Sequence, residues 1–115
     1  MPYMRLETNL ELDASTAKDL TVKASARLST LLGKSENYVF IQINSNQTML
    51  FAGSPEPLAY VELKSIGLPS SQAPTFSKAL CDFIAEELNI AANRVYIEFT
   101  DIPREMWGWN NKTFA

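Results

Sequence analysis

The chain has 115 residues, 46% hydrophobic and 20% charged, with 10 Lys+Arg against 13 Asp+Glu for a net charge of −3. Histidine is absent and Cys81 is the one cysteine, which excludes a Ser-His-Asp or Cys-His relay, a histidine-ligated metal, a Cys-x-x-Cys redox pair and an internal disulfide. The signs are interspersed without a basic run to track nucleic acid, and no apolar stretch approaches the roughly 20 residues that span a bilayer.

Proton-transfer chemistry must then use a carboxylate, a lysine, a tyrosine or the chain terminus. Met1-Pro2-Tyr3-Met4-Arg5 lacks the basic segment and apolar core of a secretion signal. The expectation is a cytoplasmic protein, with unconventional secretion left open, folded as one domain over residues 1–115.

Residues 3–9 read as a strand. Residues 14–32 read as a helix, with Ala17, Leu20, Ala24, Leu28 and Leu31 at three- and four-residue spacing. Asp13 or Ser15 can cap its start and Gly33 ends it. A second strand covers 38–44, a turn follows at 44–47, and a short strand is expected around Met49-Leu50-Phe51. The next strand is 58–65. A second helix covers 72–88, burying Phe76, Leu80, Phe83, Ile84 and Leu88, with Pro74 confined to its first turn. The last main strand is 94–100, ended by Pro103, and an aromatic tail follows from Glu105.

The two halves repeat. Val39, Ile41 and Ile43 alternate on one face, as do Val95, Ile97 and Phe99, at an offset of 95 − 39 = 56. The same offset carries Leu28 to Ile84, Leu32 to Leu88, and Tyr3-Met4-Arg5-Leu6 to Ala59-Tyr60-Val61-Glu62. The fold class is therefore α/β: two pseudo-symmetric βαβ units forming a four-stranded mixed sheet with two helices on one face. The other face, with Phe40 and Tyr96, is left to be covered, and oligomerisation would cover it.

Several residues carry two readings. Pro2 is either part of a frayed end or, with Met1 removed, a secondary amine whose pKa falls with burial and nearby cations. Lys34 either compensates the dipole of the first helix or binds an anionic substrate. Tyr96 is a packing residue or a pocket wall. Glu98 shares its strand face and is an exposed carboxylate or a second acid–base group. Cys81 reads as a small buried hydrophobe, with no histidine to activate it. The run Met106 to Ala115 holds both tryptophans and reads as a docked tail, an aromatic ligand wall, or both.

Met1-Pro2, Thr8-Asn9, Leu32-Gly33-Lys34, Ser65-Ile66-Gly67, Asn93-Arg94-Val95-Tyr96-Ile97 and Gly108-Trp109-Asn110-Asn111-Lys112-Thr113-Phe114-Ala115 occur in order. With these the chain resembles the macrophage migration inhibitory factor family of the tautomerase superfamily over its whole length. The resemblance implies a homotrimer and keto–enol tautomerisation of phenylpyruvate-type α-keto acids, with no cofactor or metal. It implies Pro2 as general base after loss of Met1, and Lys34 and the Ile66 backbone on substrate oxygens. Tyr38, Trp109 and Phe114 would be aromatic walls, Tyr3 would sit beside the base, and Tyr96 would come from an adjacent subunit. The chain departs from the family in three places. Leu58-Ala59-Tyr60-Val61 stands where mammalian members have Cys-x-x-Cys, Glu98 replaces an asparagine near the pocket, and Glu11-Leu12-Asp13 lacks a receptor-loop arginine. The alternative function is a secreted, cytokine-like receptor-binding protein with incidental tautomerase activity. A third is hydration or dehalogenation through Pro2 and Glu98.

Overall fold

A computed structural model describes all 115 residues. Strands β1 (Tyr3–Thr8), β2 (Phe40–Asn44), β3 (Ala59–Ile66) and β4 (Val95–Ile102) form one sheet in the order β2-β1-β3-β4. Helix α1 (Ala14–Leu32) links β1 to β2, and α2 (Ala73–Leu88) links β3 to β4. Each linked pair is parallel, and β1 and β3 are antiparallel at the centre. A two-stranded hairpin, β5 (Gly108–Trp109) and β6 (Lys112–Thr113), ends the chain. Neither helix is long and apolar enough to cross a membrane.

The helix ends follow local chemistry. Asp13 caps α1 by accepting from the Thr16 N–H at 2.7 Å, and that bond holds its carboxyl below the usual range. Gly33 ends the helix at φ 63°, a conformation that a residue with a Cβ adopts only under strain. Asn89, at φ 55°, takes the same role after α2.

Both helices pack on one sheet face. Leu20, Ala24 and Leu28 of α1 and Leu80, Phe83 and Ile84 of α2 meet Met4, Leu6, Val61 and Leu63 in a single core. Thr8 is fully buried there because its hydroxyl donates to the Leu58 carbonyl at 2.7 Å and accepts from the Leu10 N–H at 3.2 Å.

The repeat is real but slips by one residue in its first strand. Helices and second strands keep the offset of 56: Leu20, Ala24 and Leu28 match Phe76, Leu80 and Ile84 in burial, and Phe40 matches Tyr96 in exposure. Strand β1 matches β3 at 63 − 6 = 57 instead, since Leu6 and Leu63 both face the core while Glu62 faces away. With a side-chain period of two, one residue of slip reverses the face.

Three expected boundaries shift. Tyr38 lies in a 3-10 turn, Glu36–Tyr38, before β2 begins. No strand forms at Met49-Leu50-Phe51; an isolated bridge, Phe51 to Ser54, closes a tight turn at positive φ instead. Strand β4 runs on to Ile102, directly before Pro103. The uncovered sheet face is also less apolar than expected. Arg5 bonds Glu62 at its centre, with Glu7 and Lys64 alongside, while the exposed rings of Phe40 and Tyr96 stand on opposite edge strands.

Candidate functional site

One end of the sheet gathers the start of β1, the start of β2 and the ends of β3 and β4. A cavity of about 430 Å³ opens there, and eight of its eleven lining residues are hydrophobic. Pro2 lies at it, buried and fixed, because its carbonyl accepts from the Phe40 N–H at 2.9 Å and extends the β1–β2 ladder by one bond. Tyr3 follows, its hydroxyl donating to Gln42 Oε1 at 2.7 Å and its ring edge-on to Phe40 at 5.4 Å.

The opposite wall comes from the tail. Asn110 and Asn111, both at positive φ, make the two-residue turn that reverses β5 into β6. The Phe114 N–H then donates to the Trp107 carbonyl at 3.2 Å. This fold-back stacks Trp109 on Phe114 at 5.7 Å, with only 7° between the rings. Tyr38 meets both edge-on, at 5.7 and 6.0 Å. The tail is therefore docked on its own chain and is an aromatic wall at the same time.

The electrostatics of this end are one-sided. Burial holds the Met1 amine below its ordinary value, and the charges of Lys34 and Arg104 push the same way. Lys34 is aimed by the Gly33 cap: its N–H donates to the Ser29 carbonyl at 3.1 Å, and its carbonyl accepts from the Ser29 hydroxyl. The ammonium reaches the loop at Gly67, 3.9 Å from where a Cβ would stand, beside a smaller cavity of about 200 Å³.

The structure thus brings Pro2, Tyr3, Tyr38, Trp109 and Phe114 around one cavity; Lys34 does not line it, lining the smaller cavity instead, though its charge is felt at the amine. Ile66 ends β3 next to this group but does not line the cavity. Tyr96 and Glu98 are elsewhere. Both lie on β4, the edge strand opposite β2, about 14 Å across three strand spacings from the β2 side of the cavity. Within one chain they cannot reach it. Tyr96 packs on Phe51 at 4.6 Å between ring centres, and Glu98 accepts from the Tyr60 hydroxyl at 2.8 Å. Two contributors escaped the sequence reading. Trp107 lines the cavity, and the charge of Arg104 adds to the lowering of the amine; the only signal was a cation placed directly after Pro103 and ahead of the aromatic run.

The model of the macrophage migration inhibitory factor family matches residues 1–115. A macrophage migration inhibitory factor homolog of Brugia malayi is 39% identical over the full length of both chains, as is the factor of Xenopus tropicalis. The crystal structure of a homologue from Prochlorococcus marinus superposes with a TM-score of 0.91 at 38% identity, covering 98% of this chain and 99% of that one. The protein from Trichinella spiralis gives 0.89 at 34%, covering 96% and 98%. The chain belongs to the macrophage migration inhibitory factor family.

Membership gives context to the residues that depart from the family pattern. At the position of the mammalian cysteine pair, Leu58, Ala59 and Val61 are buried in this chain and Tyr60 faces away from the helices. Cys81 is half-buried in α2, and burial pushes its thiol up despite an opposing hydrogen bond with Ser77. A neutral thiol of this kind is a packing group. In the tail, Lys112 places its ammonium 6.0 Å from the centre of the Trp109 ring. No three His, Cys, Asp or Glu side chains converge where they could hold a metal ion.

Proposed function

We propose that this protein is a cofactor-independent keto–enol tautomerase for phenylpyruvate-type α-keto acids, with Pro2 as its general base. The observation that carries the reading is the setting of the chain terminus: Met1 and Pro2 both line an apolar cavity, and the Met1 amine there is held below its ordinary pKa by burial, Lys34 and Arg104. The Pro2 amine exposed by loss of Met1 meets the same influences, which favour the neutral form that accepts a proton. The reading requires removal of Met1, since the nitrogen of an internal proline is an amide without a basic lone pair.

The steps follow from placement. The substrate ring enters between Tyr38, Trp109 and Phe114, which exclude water from the amine. The carboxylate pairs with Lys34, and the backbone at Ile66 holds a second oxygen. Neutral Pro2 takes a proton from the carbon next to the carbonyl; the C–H electron pair becomes the new C=C bond and the C=O π pair moves onto oxygen, giving the enolate. Positive charge at this end favours that anion. Return of the proton from the Pro2 ammonium to the oxygen completes the enol and restores the base.

Tyr96 and Glu98 join this site from an adjacent subunit of a homotrimer. Their exposure on the far edge of the sheet, with Phe40 on the near one, supports that arrangement. The test is intact mass of the purified protein together with a phenylpyruvate enolisation assay. Protein lacking Met1 should turn over, and a variant with alanine inserted between Met1 and Pro2 should not. Processed protein without a Pro2-dependent rate would sink the proposal.

A further inference from the structure

The terminal hairpin sets four side chains on one face. Antiparallel pairing puts Trp109 opposite Lys112, and the Phe114 N–H donates to the Trp107 carbonyl one pair further on. Residues directly opposite in such a ladder share a face, as do residues two apart along a strand. Trp107, Trp109, Lys112 and Phe114 therefore point to the same side. Trp107, Trp109 and Phe114 line the cavity. Lys112 is the remaining member of that face, at the turn end of the wall beside Asn110 and Asn111.

This corner of the wall is open. The Trp109 ring is 49% exposed, whereas Pro2, at the same cavity, is buried. Lys112 is itself exposed, and its ammonium lies 6.0 Å from the centre of the Trp109 ring. It forms no ion pair with any carboxylate, the chain's own C-terminal one included. At that distance the attraction of the ring is near its outer limit. An ammonium carries three donors, and contact with a ring face uses none of them fully. The side chain thus keeps a charge and its donors at the mouth of an apolar cavity, with nothing in the chain to neutralise them.

We infer that Lys112 is a specificity residue at the rim of this cavity, binding an acidic substituent at the outer end of a ligand whose ring lies on the aromatic wall. The inference rests on the cavity being the substrate site proposed above. With the keto-acid end of the ligand directed inward to Pro2, its ring lies along Trp109 and Phe114, and a substituent on the far side of the ring emerges at Lys112. Stacked rings bury area without choosing between substituents, whereas a point charge at the mouth does choose. The ligand class is therefore an aryl acid that carries a second anionic group on its ring.

Both tryptophans line the cavity, so their fluorescence reports binding without turnover. The experiment titrates the Met1-processed protein with 3-(4-carboxyphenyl)propanoate and with 3-(4-carbamoylphenyl)propanoate. The two ligands share a shape and differ by the charge at the outer end. The wild type should favour the dicarboxylate. Lys112→Gln should reduce that preference about two- to fivefold, the size of an exposed ion pair, and leave binding of the carbamoyl ligand unchanged. Lys112→Arg should keep the preference. Lys112 is exposed, so circular dichroism should show both variants folded. A wild type that binds both ligands equally, or a preference untouched by Lys112→Gln, overturns the inference. So does an equal loss of both ligands, which is the mark of a lysine that only supports the Trp109 ring. A preference that depends on Lys112 in a protein unable to enolise phenylpyruvate keeps the rim site and loses the tautomerase reading, and enolisation without that preference does the reverse.

Discussion

A terminal amine is a general base only if it is neutral at working pH, and here three influences favour neutrality. Burial is the largest, followed by Lys34 and then Arg104. For the Met1 amine each disfavours the ammonium, so its folded pKa lies below its ordinary value, and the Pro2 amine exposed by loss of Met1 meets the same burial and charges. The rate should therefore fall on the acid side as the base protonates, with the kcat/KM midpoint below the pKa of an N-terminal proline in an unfolded peptide. Lys34→Gln removes one of the influences and should move the midpoint up while raising KM. A midpoint indifferent to Lys34 would show that the charge is not felt at the base. Tyr60 offers a second titration. Its hydroxyl bond to Glu98 is the first cause that pushes its pKa up to about 12, against 10.0 normally. The raised value means that the bond's contribution to stability is complete below pH 10 and is lost as pH rises through 12. An ultraviolet titration of the chain's 4 tyrosines should show one late step, and Tyr60→Phe should abolish that step and no other.

At the scale of elements, Arg94 shows how one side chain can hold a loop that has no strand of its own. Its guanidinium donates to the carbonyls of Phe51, Ser54 and Glu56 at 2.8 to 2.9 Å, and lies over the Phe51 ring. Phe51 in turn supports Tyr96. A lysine cannot present that planar set of donors. Arg94→Lys should therefore destabilise the fold by about 1.5–3 kcal/mol, the range for hydrogen bonds to a charged group, read as a lower urea midpoint. It should also loosen the 51–57 segment, read as faster amide exchange. The same loop marks where the sequence stopped being legible. Helix α1 and its caps could be read because Asp13, Gly33 and the 3.6-residue period are local signals. Met49-Leu50-Phe51 has the composition of a strand, but its backbone closes a turn under a cation 43 residues away in sequence. The one-residue slip between β1 and β3 was hidden for a related reason. Val61 and Leu63 alternate as clearly as Met4 and Leu6 do, and only pairing across the sheet shows which alternation faces the helices.

At the scale of the whole molecule, the sheet order separates two groups that the proposed chemistry needs together. Pro2 and the aromatic wall lie at the β2 side, and Tyr96 and Glu98 lie on β4, across the full width of the sheet. The tail could be read as a wall because its aromatic residues are consecutive and fold back locally. The place of Tyr96 could not be derived from periodicity, which gives the face of a strand but not its distance from another element. If an adjacent subunit completes the site, the deficit of one chain can be repaired by another. A subunit with alanine inserted between Met1 and Pro2 has no base but an intact Tyr96. A Tyr96→Ala subunit has a base but lacks the ring. Each should form weakly active homo-oligomers, measured as phenylpyruvate enolisation and sized by analytical ultracentrifugation as trimers. Co-expressed, they should assemble mixed trimers in which some sites draw Pro2 from one parent and Tyr96 from the other. Those sites are complete, so the mixture should exceed the summed activity of the parents. A site built within one chain cannot be repaired in this way, because each chain carries its own defect. Additive activity in verified mixed trimers would therefore place Tyr96 outside the reaction and return the cavity of a single chain as the whole site.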